Sequence, residues 1–111
     1  MKRNFLFICS KNEWRSRTAE TIFRNDSRFH VKSAGTSRTA RIRVSERLLL
    51  WADVIFVMED HHKKRLYEHF AKAMADKEVI VLDIPDEYPY MNEELIAELE
   101  DTINDYDDDL E

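Results

Sequence analysis

The sequence is poor in the residues that punctuate or staple a chain: one cysteine, one glycine and two prolines among 111 residues. A lone cysteine, Cys9, cannot close an internal disulfide, which excludes a bridged extracellular scaffold and makes the reducing cytoplasm the expected setting. With a single glycine and 36% charged residues, collagen-like and low-complexity classes are excluded as well. Apolar runs such as Leu48–Ala52 and Val79–Leu82 fall far short of the roughly 20 residues that a membrane span needs, so neither a span nor a signal peptide is expected. What remains is 43% hydrophobic and 11% aromatic residues, enough for one core in a single domain spanning residues 1–111.

Charge is distributed unevenly. Residues 1–51 carry 12 Lys/Arg against 4 Asp/Glu, a net +8, whereas residues 52–111 carry 5 against 19, a net −14. A basic half attracts phosphate-bearing partners, including nucleic acid. Two functional classes are therefore open at this level, an anion-processing enzyme and a module that binds nucleic acid or phosphoprotein.

Strand and helix patterns alternate along the chain. Asn4–Cys9 is a short apolar block suited to a strand buried on both faces. Ser16–Asn25 places Ala19, Ile22 and Phe23 at helical spacing, with Ser16 or Thr18 as the cap. Phe29–Ala34 reads as a second strand before Gly35, and Ser45 caps a short helix to Leu50 or Trp51. Val54–Met58 is a third strand, and Glu59-Asp60 opens a helix with Leu66, Phe70 and Ala73–Met74 on its apolar face. Val79–Leu82 is a fourth strand, Asp83–Met91 with Pro85 and Pro89 is a loop, and Asn92 caps a last helix before an acidic tail. The alternation predicts right-handed βαβ units: a three-layer α/β/α fold around a doubly wound parallel sheet.

In such a sheet the loop after the first strand is the usual anion cradle. Cys9-Ser10-Lys11-Asn12-Glu13-Trp14-Arg15-Ser16 occupies it, a C-x5-R-S pattern between a strand and a helix. A thiolate nucleophile needs positive potential around it, which a helix N-terminus and a guanidinium both supply. The planar fork of an arginine also grips two phosphoryl oxygens at once. Spacing alone is weak, and a buried strand-end cysteine beside a solvated arginine is the competing reading.

The same residues carry a resemblance. Phe5 to Glu20 resembles the signature of low-molecular-weight protein tyrosine phosphatases: an apolar strand, then C-x-G-N-x-x-R-S, then a helix with Ala19-Glu20. Val31–Ser37 is similar to that family's second strand and the Ser-Ala-Gly-Thr turn after it, Ala52–Glu59 to its aspartate-led third strand, and Asp83–Tyr88 to its V-P-D-P-Y loop. The resemblance implies a four-stranded parallel sheet, no cofactor, and phosphomonoester hydrolysis through a cysteinyl-phosphate. By it, Cys9 is the nucleophile and Arg15 holds the equatorial oxygens. Ser10, Lys11, Asn12, Glu13, Trp14 and Ser16 complete the phosphate-binding loop, with Asn12 and Ser16 shaping it. Asp86 is the general acid, with Asp83 as its competitor. The implied partner is a phosphorylated small molecule or a phosphotyrosine protein; neither nucleic acid nor a membrane is expected.

Departures from the pattern carry expectations of their own. Lys11 replaces a glycine and is expected to crowd the loop or to require a positive φ. Glu13 puts a carboxylate in the loop and is expected to point outward. Trp14 replaces a second cysteine, which excludes a protective vicinal disulfide, and the stretch between Gly35 and Asp53 is shorter than the family's. Tyr88 and Tyr90 are either a substrate rim or packing at the sheet edge. His61, His62 and His69 are assigned to a solvated helix face, with no metal expected, and Arg38, Arg41 and Arg43 to a solvated loop. Two alternatives to hydrolysis stand: a non-catalytic phosphate-loop domain binding phosphoprotein or RNA, and an arsenate reductase relying on an external thiol.

Overall fold

In a computed structural model, which describes residues 2–109, a parallel four-stranded sheet of order β2-β1-β3-β4 forms the middle layer. The strands are β1 (Arg3–Cys9), β2 (Phe29–Gly35), β3 (Val54–Val57) and β4 (Glu78–Val81). Five helices connect and follow them: α1 (Arg15–Phe23), α2 (Glu46–Trp51), α3 (Asp60–His69), α4 (Ala71–Met74) and α5 (Glu93–Asp109). Leu110 and Glu111, the end of the acidic tail, and Met1 lie outside the described residues. Among the described residues no helix is long and apolar enough to cross a membrane.

The solid apolar blocks are explained by burial on both faces of the sheet. Phe5, Phe7, Val54 and Phe56 face α1 and α5, meeting Ala19, Phe23, Leu95, Leu99 and Ile103. Leu6, Ile8, Ile55 and Val57 face the other way, against Leu49, Leu66, Ala73 and Met74 of α2, α3 and α4. Each fully buried side chain of this size contributes about 1.5–3 kcal/mol. Phe5 stacks on Phe29 at 4.4 Å and Phe7 on Phe56 at 5.0 Å, so aromatic contacts tie β1 to both neighbours.

Helix boundaries depart from the sequence pattern in two places. α1 begins at Arg15 with Trp14 as its N-cap and no side-chain cap, so neither Ser16 nor Thr18 plays that part. Both sit inside the helix, where Ser16 and Thr18 are buried and make bonds of their own: Ser16 Oγ lies against the Ala34 carbonyl and Thr18 Oγ1 donates to the Trp14 carbonyl. The helix expected to run past Phe70 breaks there, where φ −136° and ψ 41° leave the helical region and separate α3 from α4. Ser45 and Asn92 cap α2 and α5 through their side-chain oxygens as the pattern predicts.

Candidate active site

β1 and β2 end side by side, with Cys9 opposite Gly35. From Cys9 the chain turns through residues 10–14 into α1. Four consecutive carbonyls of this loop are held from one side: Thr36 N donates to Cys9 O at 3.0 Å, Ser37 N to Ser10 O at 2.9 Å, and Arg41 N to Lys11 O at 2.9 Å. Arg41 Nε donates to Asn12 O at 3.0 Å. From within the loop, Asn12 N donates to Cys9 Sγ at 3.2 Å. Arg41 is therefore a clamp on the loop and not one more solvated charge.

The positive φ falls on Asn12, at 59°, while Lys11 is exposed and avoids the left-handed region. Asparagine tolerates that conformation better than most residues because its side chain bonds locally. Here Asn12 is fully buried and its Nδ2 donates to Ser16 Oγ at 2.6 Å and to Ser33 Oγ at 2.9 Å. Ser33 in turn donates to Glu20. Ser16 Oγ lies 3.0 Å from Cys9 Sγ, so one buried chain of polar groups runs from β2 to the sulfur. Lys11 does not crowd the loop; it reaches outward to the Thr39 hydroxyl.

Arg15 is 2% exposed, a guanidinium taken almost wholly out of water. Its Nη1 donates to Glu59 Oε1 at 2.5 Å and to the Ile84 carbonyl at 2.8 Å, and its Nε lies 3.6 Å from Asp86 Oδ1. Glu59 follows β3 and Ile84 and Asp86 follow β4, so the ends of three strands converge on one arginine. The hydrogen bond from Arg15 is the main reason the Glu59 carboxyl is held below its ordinary range, against the opposing pull of burial.

A cavity of about 120 Å³ opens between these groups, lined by Cys9, Ser10, Lys11, Glu13, Trp14, Arg15 and Asp86. Asp83, with φ 55°, lines a separate groove with Glu59, Asp60 and His61. Glu13 is exposed and also stands in the cavity wall. The tyrosines are elsewhere. Tyr88 is half-buried against the core, and Tyr90 bonds Thr21 at 2.8 Å while Arg17 covers its ring at 4.5 Å. Neither lines the cavity; Trp14, 45% exposed, is the aromatic side chain at its rim.

One functional neighbour escaped the sequence reading. His62 is completely buried, whereas His61 and His69 are exposed as expected. It occupies the third position of α3 and accepts from Glu59 N at 3.0 Å through Nδ1, completing a reciprocal cap with the Glu59 side chain. Its Nε2 meets Ser10 Oγ at 2.8 Å. Burial first, then the nearby His61 and Arg15, push its pKa down to about 3, so the ring is neutral. An accepting Nδ1 in a neutral ring leaves the proton on Nε2, which donates to Ser10. The only available signal was its place three residues after a helix-opening glutamate. Glu59, His61 and His62 are the one group among the described residues with the proximity for a metal, but both His62 nitrogens and the Glu59 carboxylate already have partners.

No protein-family model matches the sequence, and no curated protein matches it. Solved structures do match in fold. The tyrosine phosphatase Wzb from Escherichia coli K30, in complex with phosphate, superposes with a TM-score of 0.76 at 20% identity over 100% of both chains. A low molecular weight protein tyrosine phosphatase from T. tengcongensis gives 0.71 at 22% identity over 94% of this chain and 99% of the other. The YwlE arginine phosphatase from Geobacillus stearothermophilus gives 0.69 at 20% identity over 89% and 84%. A parallel β2-β1-β3-β4 sheet between two helical layers is thus the fold that this chain shares with low-molecular-weight protein tyrosine phosphatases.

Proposed function

We propose that this chain is a phosphomonoester hydrolase of the protein-tyrosine-phosphatase type, working through a cysteinyl-phosphate. The observation that carries the reading is a single cavity holding a cysteine sulfur, a buried guanidinium and a carboxylate. Cys9 Sγ attacks phosphorus as the bond to the leaving oxygen breaks, and Asp86 gives that oxygen its proton. A water then attacks the phosphocysteine, Asp86 takes the water's proton, and the S–P bond breaks to return thiolate and inorganic phosphate. Arg15 and the loop amides stabilise the equatorial oxygens throughout. The open N-terminus of α1, which has no side-chain cap, adds its dipole to the same end. No cofactor takes part.

Asp86 is preferred to Asp83 because it shares the cavity with Cys9 and Arg15 while Asp83 lines another groove. A second substrate reading is favoured by Glu13. A carboxylate in the wall of an anion pocket disfavours a plain phosphate ester and favours a phosphoryl group borne on a cation, such as phosphoarginine. The binding-module and arsenate-reductase alternatives are separated from hydrolysis by one set of assays on purified protein. Hydrolysis of para-nitrophenyl phosphate that Cys9→Ser abolishes is the expected result. Phosphate or vanadate binding without turnover would instead support a binding module, and arsenate turnover dependent on added thiol would support the reductase.

A further inference from the structure

Three arginines outside the cavity around Cys9 stand together elsewhere. Arg38, Arg43 and Arg65 line a second pocket of about 200 Å³, together with Thr36, Val44, His69 and Phe70. Two of them come from the segment after β2 and one from α3, so the pocket is assembled by tertiary structure from distant stretches of chain. Among the described residues none of the three makes an ion pair, although Arg3, Arg15, Arg24 and Arg28 all do. Among the described residues, no acidic side chain lines the pocket. A neighbouring groove that shares His69 and Phe70 with it carries Glu46 and Glu68.

Three arginines lining one concavity with no carboxylate among its described lining residues concentrate positive potential there, which an oxoanion offsets while accepting from their planar forks. We propose that this pocket is a second anion site, distinct from the loop between Cys9 and Arg15, which takes a phosphoryl group. The group is supplied either by a second phosphorylated residue of a substrate protein or by free phosphate. Val44 and Phe70 give the site an apolar wall, as suits a phosphoryl group carried on a side chain.

The pocket is joined to the loop through a shared stretch of backbone. Thr36, in its wall, donates to the Cys9 carbonyl, Arg43 bridges Gly35, and Arg41 between them holds the loop carbonyls.

Titration of the isotopically labelled full chain with inorganic phosphate, followed by amide NMR, tests the site. Two groups of shifts are expected, one over residues 10–15 and one at Thr36, Arg38, Val44, Arg65 and His69, each saturating at its own concentration. Arg38→Ala combined with Arg65→Ala should remove the second group and leave the first unchanged; both residues lie outside the proposed catalytic set. Shifts confined to residues 10–15, or a second group that never saturates or survives in the double variant, would overturn the proposal. A companion assay distinguishes the sources. If a substrate protein supplies the group, a phosphotyrosine peptide with a second phosphorylated residue has a KM about tenfold lower than its singly phosphorylated counterpart, and the double variant loses that gain. Equal KM values with the NMR saturation retained identify free phosphate as the occupant. Absence of hydrolysis would bear on the catalytic reading alone, since the titration needs no turnover.

Discussion

Glu59 accepts from Arg15 across 2.5 Å, and the same side chain caps the first turn of α3. One carboxylate thus fixes both the guanidinium that faces the cavity and the helix that delivers His62 to the loop. Glu59→Ala removes the closer of the two carboxylates paired with a guanidinium that is 2% exposed, a change that costs up to about 3 kcal/mol. Chemical denaturation should register that loss, and aryl phosphatase activity should fall about tenfold or more. Glu59→Gln, which keeps an acceptor, should lose less on both counts; an equal loss would mean that charge pairing and not the hydrogen-bond geometry of the cap is what matters.

Asp86→Ala should slow hydrolysis of esters with poor leaving groups by about 10²-fold or more while largely sparing activated ones, because an activated oxygen departs without a proton. Asp83→Ala should do neither. Steady-state rates across a series of aryl phosphates of graded leaving-group pKa give the comparison, and a steepened dependence in the Asp83 variant alone would sink the assignment.

His62 makes stability depend on pH in a definite direction. Its folded pKa is about 3 against 6.5 for an unperturbed ring. Below 6.5 the unfolded chain therefore binds a proton that the folded chain refuses. The stabilisation is complete above about 6.5 and is lost as pH falls toward 3, by up to about 1.4 kcal/mol per pH unit. Denaturation midpoints at pH 7, 6 and 5 should fall more steeply in the parent than in His62→Gln, and parallel slopes would refute a buried neutral histidine.

Glu13→Gln offers a direct reading of substrate class. With phosphate esters, removing the carboxylate should raise kcat/KM several-fold, whereas with a phosphoarginine peptide it should lower it. A change of the same sign for both would show that Glu13 does not discriminate between them.

Gly35 is the chain's sole glycine, and its role is close packing. A Cβ built there meets the Ser10 carbonyl oxygen and lies 2.7 Å from Ala40 Cβ. Gly35→Ala should therefore push the loop away from β2, destabilising the fold by about 1–3 kcal/mol and weakening phosphate binding in the same variant. Calorimetry with and without phosphate separates the two effects.

Much of this was legible along the chain because its causes are local. Unbroken apolar blocks at 4–9 and 54–58 can only be strands covered on both faces, and caps at Ser45 and Asn92 bond their own helices. The cysteine-to-arginine loop lies between a strand and a helix as its spacing requires. The break at Phe70, the burial of His62 and the pairing of Arg15 with Glu59 could not be read in this way, since each depends on partners 44 or more residues away or on how one element seats against another.

The scarcity of glycine shows the same division. Sequence alone determined that one position at most could use that residue's freedom, and that a single cysteine had no partner to bridge. Only the tertiary structure decided that the left-handed turn falls on Asn12, that Gly35 is spent on the approach of Ser10, and that Arg41 secures the loop from outside. The physical reason is that backbone conformation in the loop is fixed by which distant donors its carbonyls meet, and no pattern of neighbours along the chain encodes that.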